Sequence, residues 1–125
     1  MIIPDTSIWI EFLKNNPAYS PSLKNMLEKR EILAVECIFG ELLQGAKTKR
    51  EIEIISLYRE NLPRCSEENI WIEAGIFSSQ HKLFARGIGL IDCAIIIAAH
   101  RSNSRIWSLD KKLNAVLQKE ERFVL

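Results

Sequence analysis

The 125-residue chain has little of what usually staples or anchors a small protein. Its three cysteines, Cys37, Cys65 and Cys93, are an odd number with no C-x-x-C pair, and its only histidines are His81 and His100. That argues against a disulfide framework and against a zinc site. Each cysteine reads as a small buried apolar residue, and a cytoplasmic location fits free thiols. Long apolar runs are missing: the longest, Cys93 to Ala99, falls far short of a membrane span. The opening stretch MIIPDTSIWIEFL lacks a basic leader and carries Asp5 and Glu11, unlike a secretory signal. There is no repeat and no Pro/Gly-rich linker. An excess of one charge is missing too, with 17 Lys and Arg against 16 Asp and Glu and a net charge of +1. That near-neutrality argues against a surface coated with positive charge to grip nucleic acid.

What is present is ordinary for a globular chain: 47% hydrophobic and 26% charged residues. One domain over residues 1–125, with its own core, is the expectation. Ile2 and Ile3 form a short apolar run ending in Pro4, which predicts a buried strand. Asp5, Thr6 and Ser7 are capping residues ahead of Ile8, Trp9, Phe12 and Leu13 at helical spacing. Ser20-Pro21 reads as N-cap and first position of a helix to about Arg30, with Leu23, Met26 and Leu27 on its apolar face. A strand over Ile32–Val35 follows, then helices over Cys37–Ala46 and Lys49–Asn61. Ser66 opens a long helix through Phe84, stopped by Gly87 and Gly89. Ile91–His100 is a helix apolar nearly all round and belongs in the core. A strand over Arg105–Leu109, a helix over Lys111–Lys119 and a strand over Arg122–Leu125 complete the chain. Alternating strands and helices predict an α/β fold with a short, mainly parallel central sheet flanked by helices.

Four carboxylates break their local pattern. Asp5 and Asp110 each follow the carboxyl end of a strand, the edge where open α/β sheets build their sites. Asp92 interrupts the most apolar helix, where an unpaired carboxylate is costly, although a helix N-terminus favours negative charge. Glu41 lies between Gly40 and Gly45, which leave the helix surface open at a cost in helix stability. Each acid alone also reads as a helix cap or a solvated residue. If the three aspartates meet at one sheet edge, their repulsion demands a cation. Oxygen ligands without His or Cys select Mg²⁺ or Mn²⁺, and such clusters serve phosphoryl and phosphodiester chemistry.

These residues resemble the motifs of PIN-domain nucleases. Asp5-Thr6-Ser7 is similar to the family's opening motif, and Glu41-Leu42-Leu43-Gln44-Gly45 to its E-L-x-x-G helix. Gly87 to Ile95 is similar to its G-x-x-x-x-D-x-x-I segment, and Ser108-Leu109-Asp110 to its T-x-D end motif. All four occur in order along the whole chain, whose length is that of the small toxins called VapC. The resemblance implies a three-layer PIN-like fold. It implies that Asp5, Glu41, Asp92 and Asp110 are the catalytic acids and hold Mg²⁺ or Mn²⁺, with Thr6, Ser7 and Ser108 as supporting polar groups. The activity it implies is RNA hydrolysis by in-line attack of water, leaving a 5′-phosphate and a 3′-hydroxyl. It also implies a homodimer blocked by a cognate antitoxin, whose C-terminal segment lies across the acidic pocket.

The chain departs from the pattern at a few positions. Ser108 replaces the usual Thr, and Cys93 replaces the usual Ala, which could expose a thiol near the site. Leu113 takes the core place of an absent phenylalanine, and Glu36, where a Ser or Thr is common, reads as a helix-start residue. RNA needs positive charge, and Lys111 and Lys112 beside Asp110 are the best placed. Lys14, Lys47, Lys49, Arg50, Arg86 and Arg101 are further candidates, each also readable as a solvated base. His81 and His100 read as structural, and Trp9, Trp71 and Trp107 as core or dimer packing. Ile8, Trp9 and the Leu23–Leu27 stripe could form a partner groove. The competing functions are a noncatalytic RNA- or peptide-binding module with structural acids, and a PIN nuclease of RNA processing without a toxin role. An adhesion-type D-x-S-x-S metal site is excluded because Trp9 stands at its last position.

Overall fold

The computed structural model describes all residues, 1–125. Strand β1 (Ile2–Pro4) pairs in parallel with β2 (Arg105–Trp107), Ile3 opposite Ile106 and Pro4 opposite Trp107. Single parallel bridges widen this pair on both sides: Ile2 to Ile32, Ala34 to Arg64 and Ile106 to Arg122. The lateral order is therefore residue 64, residues 32–34, β1, β2, residue 122. In chain order this runs 3-2-1-4-5, so the topology reverses between β1 and β2, and ligands bind outside the carboxyl ends of strands at such a point.

The helices are α1 (Thr6–Leu13), α2 (Ser20–Glu28), α3 (Glu36–Gln44), α4 (Lys49–Asn61), α5 (Ile70–Gln80), α6 (Leu90–Ser102) and α7 (Lys111–Val116). Right-handed crossovers send α1 to α4 over one face, because those connections step one way along the sheet. The connections holding α5 to α7 step the other way and cover the opposite face. Packing agrees: α1 meets α2 and α3, α3 meets α4, and α5 lies along α6. The expected three-layer α/β architecture results.

The sheet is slighter than the apolar runs suggest. Ile32, Leu33, Ala34 and Val35 are all buried, yet they form bridges rather than the expected strand. Ile2 donates to the Glu31 carbonyl at 2.8 Å and accepts from Leu33 at 2.9 Å. The next rung needs an amide hydrogen at position 4, and proline has none, so the ladder stops. The chain then turns to its other neighbour, Ala34 donating to the Pro63 carbonyl at 2.9 Å. Likewise Arg122–Leu125 is one bridge and not a strand: Phe123 donates to Ile106 at 2.9 Å, while Val124 and Leu125 turn outward.

Backbone geometry also corrects several helix ends. Tyr19 is the N-cap of α2, so Ser20 is already helical and Pro21 sits in the first turn. The long helix expected from Ser66 to Phe84 is shorter, because Asn69 at φ 56° and Lys82 at φ 54° take the left-handed conformation on either side of α5. A separate 3₁₀ turn, Phe84–Arg86, follows. Helix α7 stops at Val116, and Gln118 caps a 3₁₀ turn at Lys119–Glu121 through a reciprocal bond pair with Glu121.

One hydrophobic cluster holds the layers together. Helix α6 buries Cys93 through Ala99 without a break, as its all-round apolar sequence predicts. Across the sheet, Trp9 packs against Phe12, Phe39 and Tyr58 with ring centroids 5.3–5.7 Å apart. Ile8, Trp9 and Leu23 are fully buried in this cluster, so they are core and not the partner groove their stripe suggests. Trp107 is core as well, whereas Trp71 is half exposed on α5. No helix is long and apolar enough to cross a membrane.

Candidate active site

Asp5 closes β1 and opens α1. Its backbone is extended, and its carboxylate accepts from the Ile8 amide at 3.3 Å, the N-cap bond expected from sequence. It does more than cap. Its two oxygens also accept from the Ser7 and Ser108 hydroxyls, and the side chain is buried. Burial pushes the carboxyl above the usual range, partly offset by those hydrogen bonds. Each serine works in both directions. Ser7 Oγ accepts from the Leu109 amide at 3.0 Å, and Ser108 Oγ accepts from the Asp110 amide at 2.9 Å. The two hydroxyls thus stitch the end of β1 to the end of β2, across the switch point.

Asp110 follows β2 and caps α7, accepting from Lys112 at 2.8 Å and Leu113 at 3.4 Å. Glu41 reaches the same region from α3, where Thr6 Oγ1 donates to it at 2.6 Å. Asp92 enters from the first turn of α6. Its carboxyl is pushed up to about 6, by burial first and then by the charges of Asp110, Asp5 and Glu41. Three elements remote in sequence therefore bring carboxylates within electrostatic reach of Asp92. None of the four acids is in an ion pair with a Lys or Arg; the chain's ion pairs are Arg59–Glu36, His100–Glu121 and Arg101–Glu73. No group of three or more His, Cys, Asp or Glu side chains closes tightly enough to enclose an ion.

The departures resolve as follows. Cys93 is fully buried and its thiol is pushed up by burial, as expected of a small apolar residue, so it exposes no thiol at the site; Cys37 and Cys65 are only half-buried. The Cys93 side chain lies inward because it is one residue past Asp92 on a helix whose inner face starts there. Leu113 is fully buried, as expected. Glu36 does begin α3, and it also makes a two-pronged pair with Arg59 at 2.6 and 2.7 Å, which holds its carboxyl below the usual range. Arg101 is not free for RNA: it binds Glu73 at 2.5 Å and the Ser66 carbonyl at 3.0 Å. Lys111, Lys112 and Arg86 are exposed, and the two lysines directly follow Asp110. Lys112 lies over Gly87, where a Cβ would meet its Nζ at 3.4 Å. Neither histidine is buried, and only contacts to Glu121 and Phe77 hold them.

A family model described as PIN domain matches residues 2–117. The chain belongs to the PIN-domain family. The protein named Ribonuclease VapC32 of Mycobacterium tuberculosis, from strains CDC 1551 / Oshkosh and ATCC 25618 / H37Rv, is 28% identical over 119 residues. The match covers 92% of this chain and 89% of that protein. PIN nucleases generally use a divalent metal, and the donors of this PIN domain suit one. They are all hard carboxylate and hydroxyl oxygens, and Asp92 carries unneutralised repulsion from three other acids that a cation relieves.

Proposed function

We propose that this PIN domain, spanning residues 1–125 as a single domain, is a Mg²⁺- or Mn²⁺-dependent endoribonuclease acting as the toxin of a type II toxin–antitoxin pair. The observation that carries the reading is the convergence of Asp5, Glu41 and Asp110 on Asp92 at the switch point, none of the four having a basic partner. The name of the mycobacterial relative supports the substrate class. In this reading Asp5, Glu41, Asp92 and Asp110 hold the metal. When bound, the ion lowers the pKa of water and neutralises charge developing on the phosphate.

The chain's own residues do the positioning. Ser7 and Ser108 fix both oxygens of Asp5, and Thr6 orients Glu41, so those two carboxylates keep their orientation. Lys111 and Lys112, on the first turn of α7, offer positive charge to the RNA backbone beside the acids. A cognate antitoxin covers the acids in this reading. An adjoining cavity of about 350 Å³ between α1, α3 and α4 supports that, since Ile10, Leu13, Leu42 and Ile55 line it and Glu41 stands at its edge. A homodimer is supported by the outer face of α5, where Ile72 and Ile76 are 68% and 55% exposed. A cytoplasmic location follows from the RNA substrate.

The test is cleavage of total cellular RNA by the purified chain. Cleavage is expected with Mg²⁺ or Mn²⁺, is expected to stop with EDTA, and is expected to fall at least a hundredfold in Asp5→Asn and Asp92→Asn variants that keep the wild-type circular dichroism. Undiminished cleavage by the folded variants would overturn the site assignment. Absence of cleavage by the wild type with metal present would favour a noncatalytic binding module.

A further inference from the structure

A second cavity, of about 500 Å³, opens beside the Phe84–Arg86 turn that precedes Gly87. Phe77 and His81 of the α5 end form one wall, Ile96 and His100 of α6 the floor, and Arg86 and Gln118 the rim. Glu121 is its one acid, and His100 Nε2 occupies it at 2.8 Å. The remaining lining is cationic, aromatic or neutral.

Three features make this more than a surface dent. Phe77 and His81 are stacked, ring centroids 4.2 Å apart and 34° from parallel, so together they offer a rigid aromatic platform. His81 Nδ1 donates to the Phe77 carbonyl at 3.0 Å, which fixes the ring and leaves Nε2 as its remaining hydrogen-bonding atom. Arg86 is exposed, with no ion-pair partner, directly before Gly87. Asp92, Ile96 and His100 also follow one another at intervals of four along α6. One face of α6 thus runs from the acid site to the cavity, about 12 Å from Asp92 to His100 at 1.5 Å per residue, and Lys112 lies against Gly87, the residue after Arg86.

We propose that this cavity is a nucleotide subsite for single-stranded RNA, holding a nucleotide that flanks the one whose phosphodiester meets the acids. The inference rests on the ribonuclease reading above. Arg86 and Lys112 take successive phosphates, the His81–Phe77 platform stacks a base, and His81 Nε2 with the Gln118 amide receives a 2′-hydroxyl or a base edge. Stacking on an aromatic face accepts any base, so the subsite adds affinity more than sequence choice.

The experiment is fluorescence-anisotropy titration of a labelled, mixed-sequence single-stranded 12-nucleotide RNA in EDTA, paired with cleavage of the same RNA in Mn²⁺. His81→Ala and Arg86→Ala are each expected to weaken binding and raise KM by about tenfold, with kcat little changed. Arg105→Ala is the control, because Arg105 is exposed at the amino end of β2, remote from the acids. Equal affinities for wild type, His81→Ala and Arg86→Ala would overturn the subsite while leaving the nuclease intact. A wild type that neither binds nor cleaves the RNA would overturn the nuclease reading itself. A loss in Arg105→Ala as large as in the other two would show general charge attraction and would also overturn the subsite.

Discussion

At the scale of single residues, Asp92 carries the most consequence. Its carboxyl titrates near 6, against 3.8 for an unperturbed aspartate. Between those values the folded chain holds a proton that the unfolded chain has lost, so stability falls as pH rises through that window. The penalty is greatest above that window, reduced by solvent screening of the half-buried side chain. Asp92→Asn removes it. In metal-free buffer at pH 8 the variant is expected to melt several degrees above the wild type, with the gap closing at pH 4. Added Mg²⁺ is expected to raise the wild-type Tm and to leave the variant nearly unmoved. Thermal melts at both pH values, with and without Mg²⁺, check both statements; equal Tm values at pH 8 would sink this account of Asp92. Much of this was legible beforehand. A carboxylate in the run from Leu90 to Ala99 is conspicuous in sequence, and so are Asp5 and Asp110 after their strands. Which charges press on Asp92 was legible only through the family motifs, since those residues lie 51 to 87 positions earlier and 18 later.

At the scale of elements, glycine separates two roles that look alike in sequence. Gly87 has φ +80°, and a Cβ there would meet Lys112 Nζ at 3.4 Å and Cδ at 3.6 Å. Gly87→Ala is expected to cost about 1–2 kcal/mol from backbone strain and to displace Lys112. Gly40 sits in mid-α3 with nothing within 4 Å of its absent Cβ. Gly40→Ala is expected to stabilise by about 0.5–1 kcal/mol through helix propensity. Urea denaturation of the two variants checks the opposite signs. The same lesson covers the strands. The apolar run Ile32–Val35 is buried as its composition requires, but hydrogen bonding at Pro4 decides that it bridges two neighbours and does not extend one ladder. Helix periodicity was the more reliable guide: α4 spans Lys49–Asn61 as expected, because capping by Thr48 and the run of apolar positions are both local.

At the scale of the whole molecule, the outer face of α5 remains unburied although α5 packs closely along α6. If a second copy covers it, the double variant Ile72→Glu, Ile76→Glu is expected to sediment as a monomer where the wild type sediments as a dimer. Identical sedimentation of the two would rule this face out. The near-neutral net charge also changes meaning at this scale. Four of the 16 acids come together around Asp92, and the exposed Lys111 and Lys112 directly follow Asp110, so a total of +1 conceals an acidic cluster with basic residues beside it.

The sequence by itself determined the alternation of strands and helices, the burial of α6, the capping of α1 and α7 by Asp5 and Asp110, and the family motifs, because each rests on contacts within a few residues. Only the tertiary structure decided that Ser7 and Ser108 clamp Asp5 across the switch point. It alone showed that Arg101 is already paired and that His81 and His100 line a second cavity. Those outcomes depend on packing between elements, and no local pattern encodes which distant surfaces will meet.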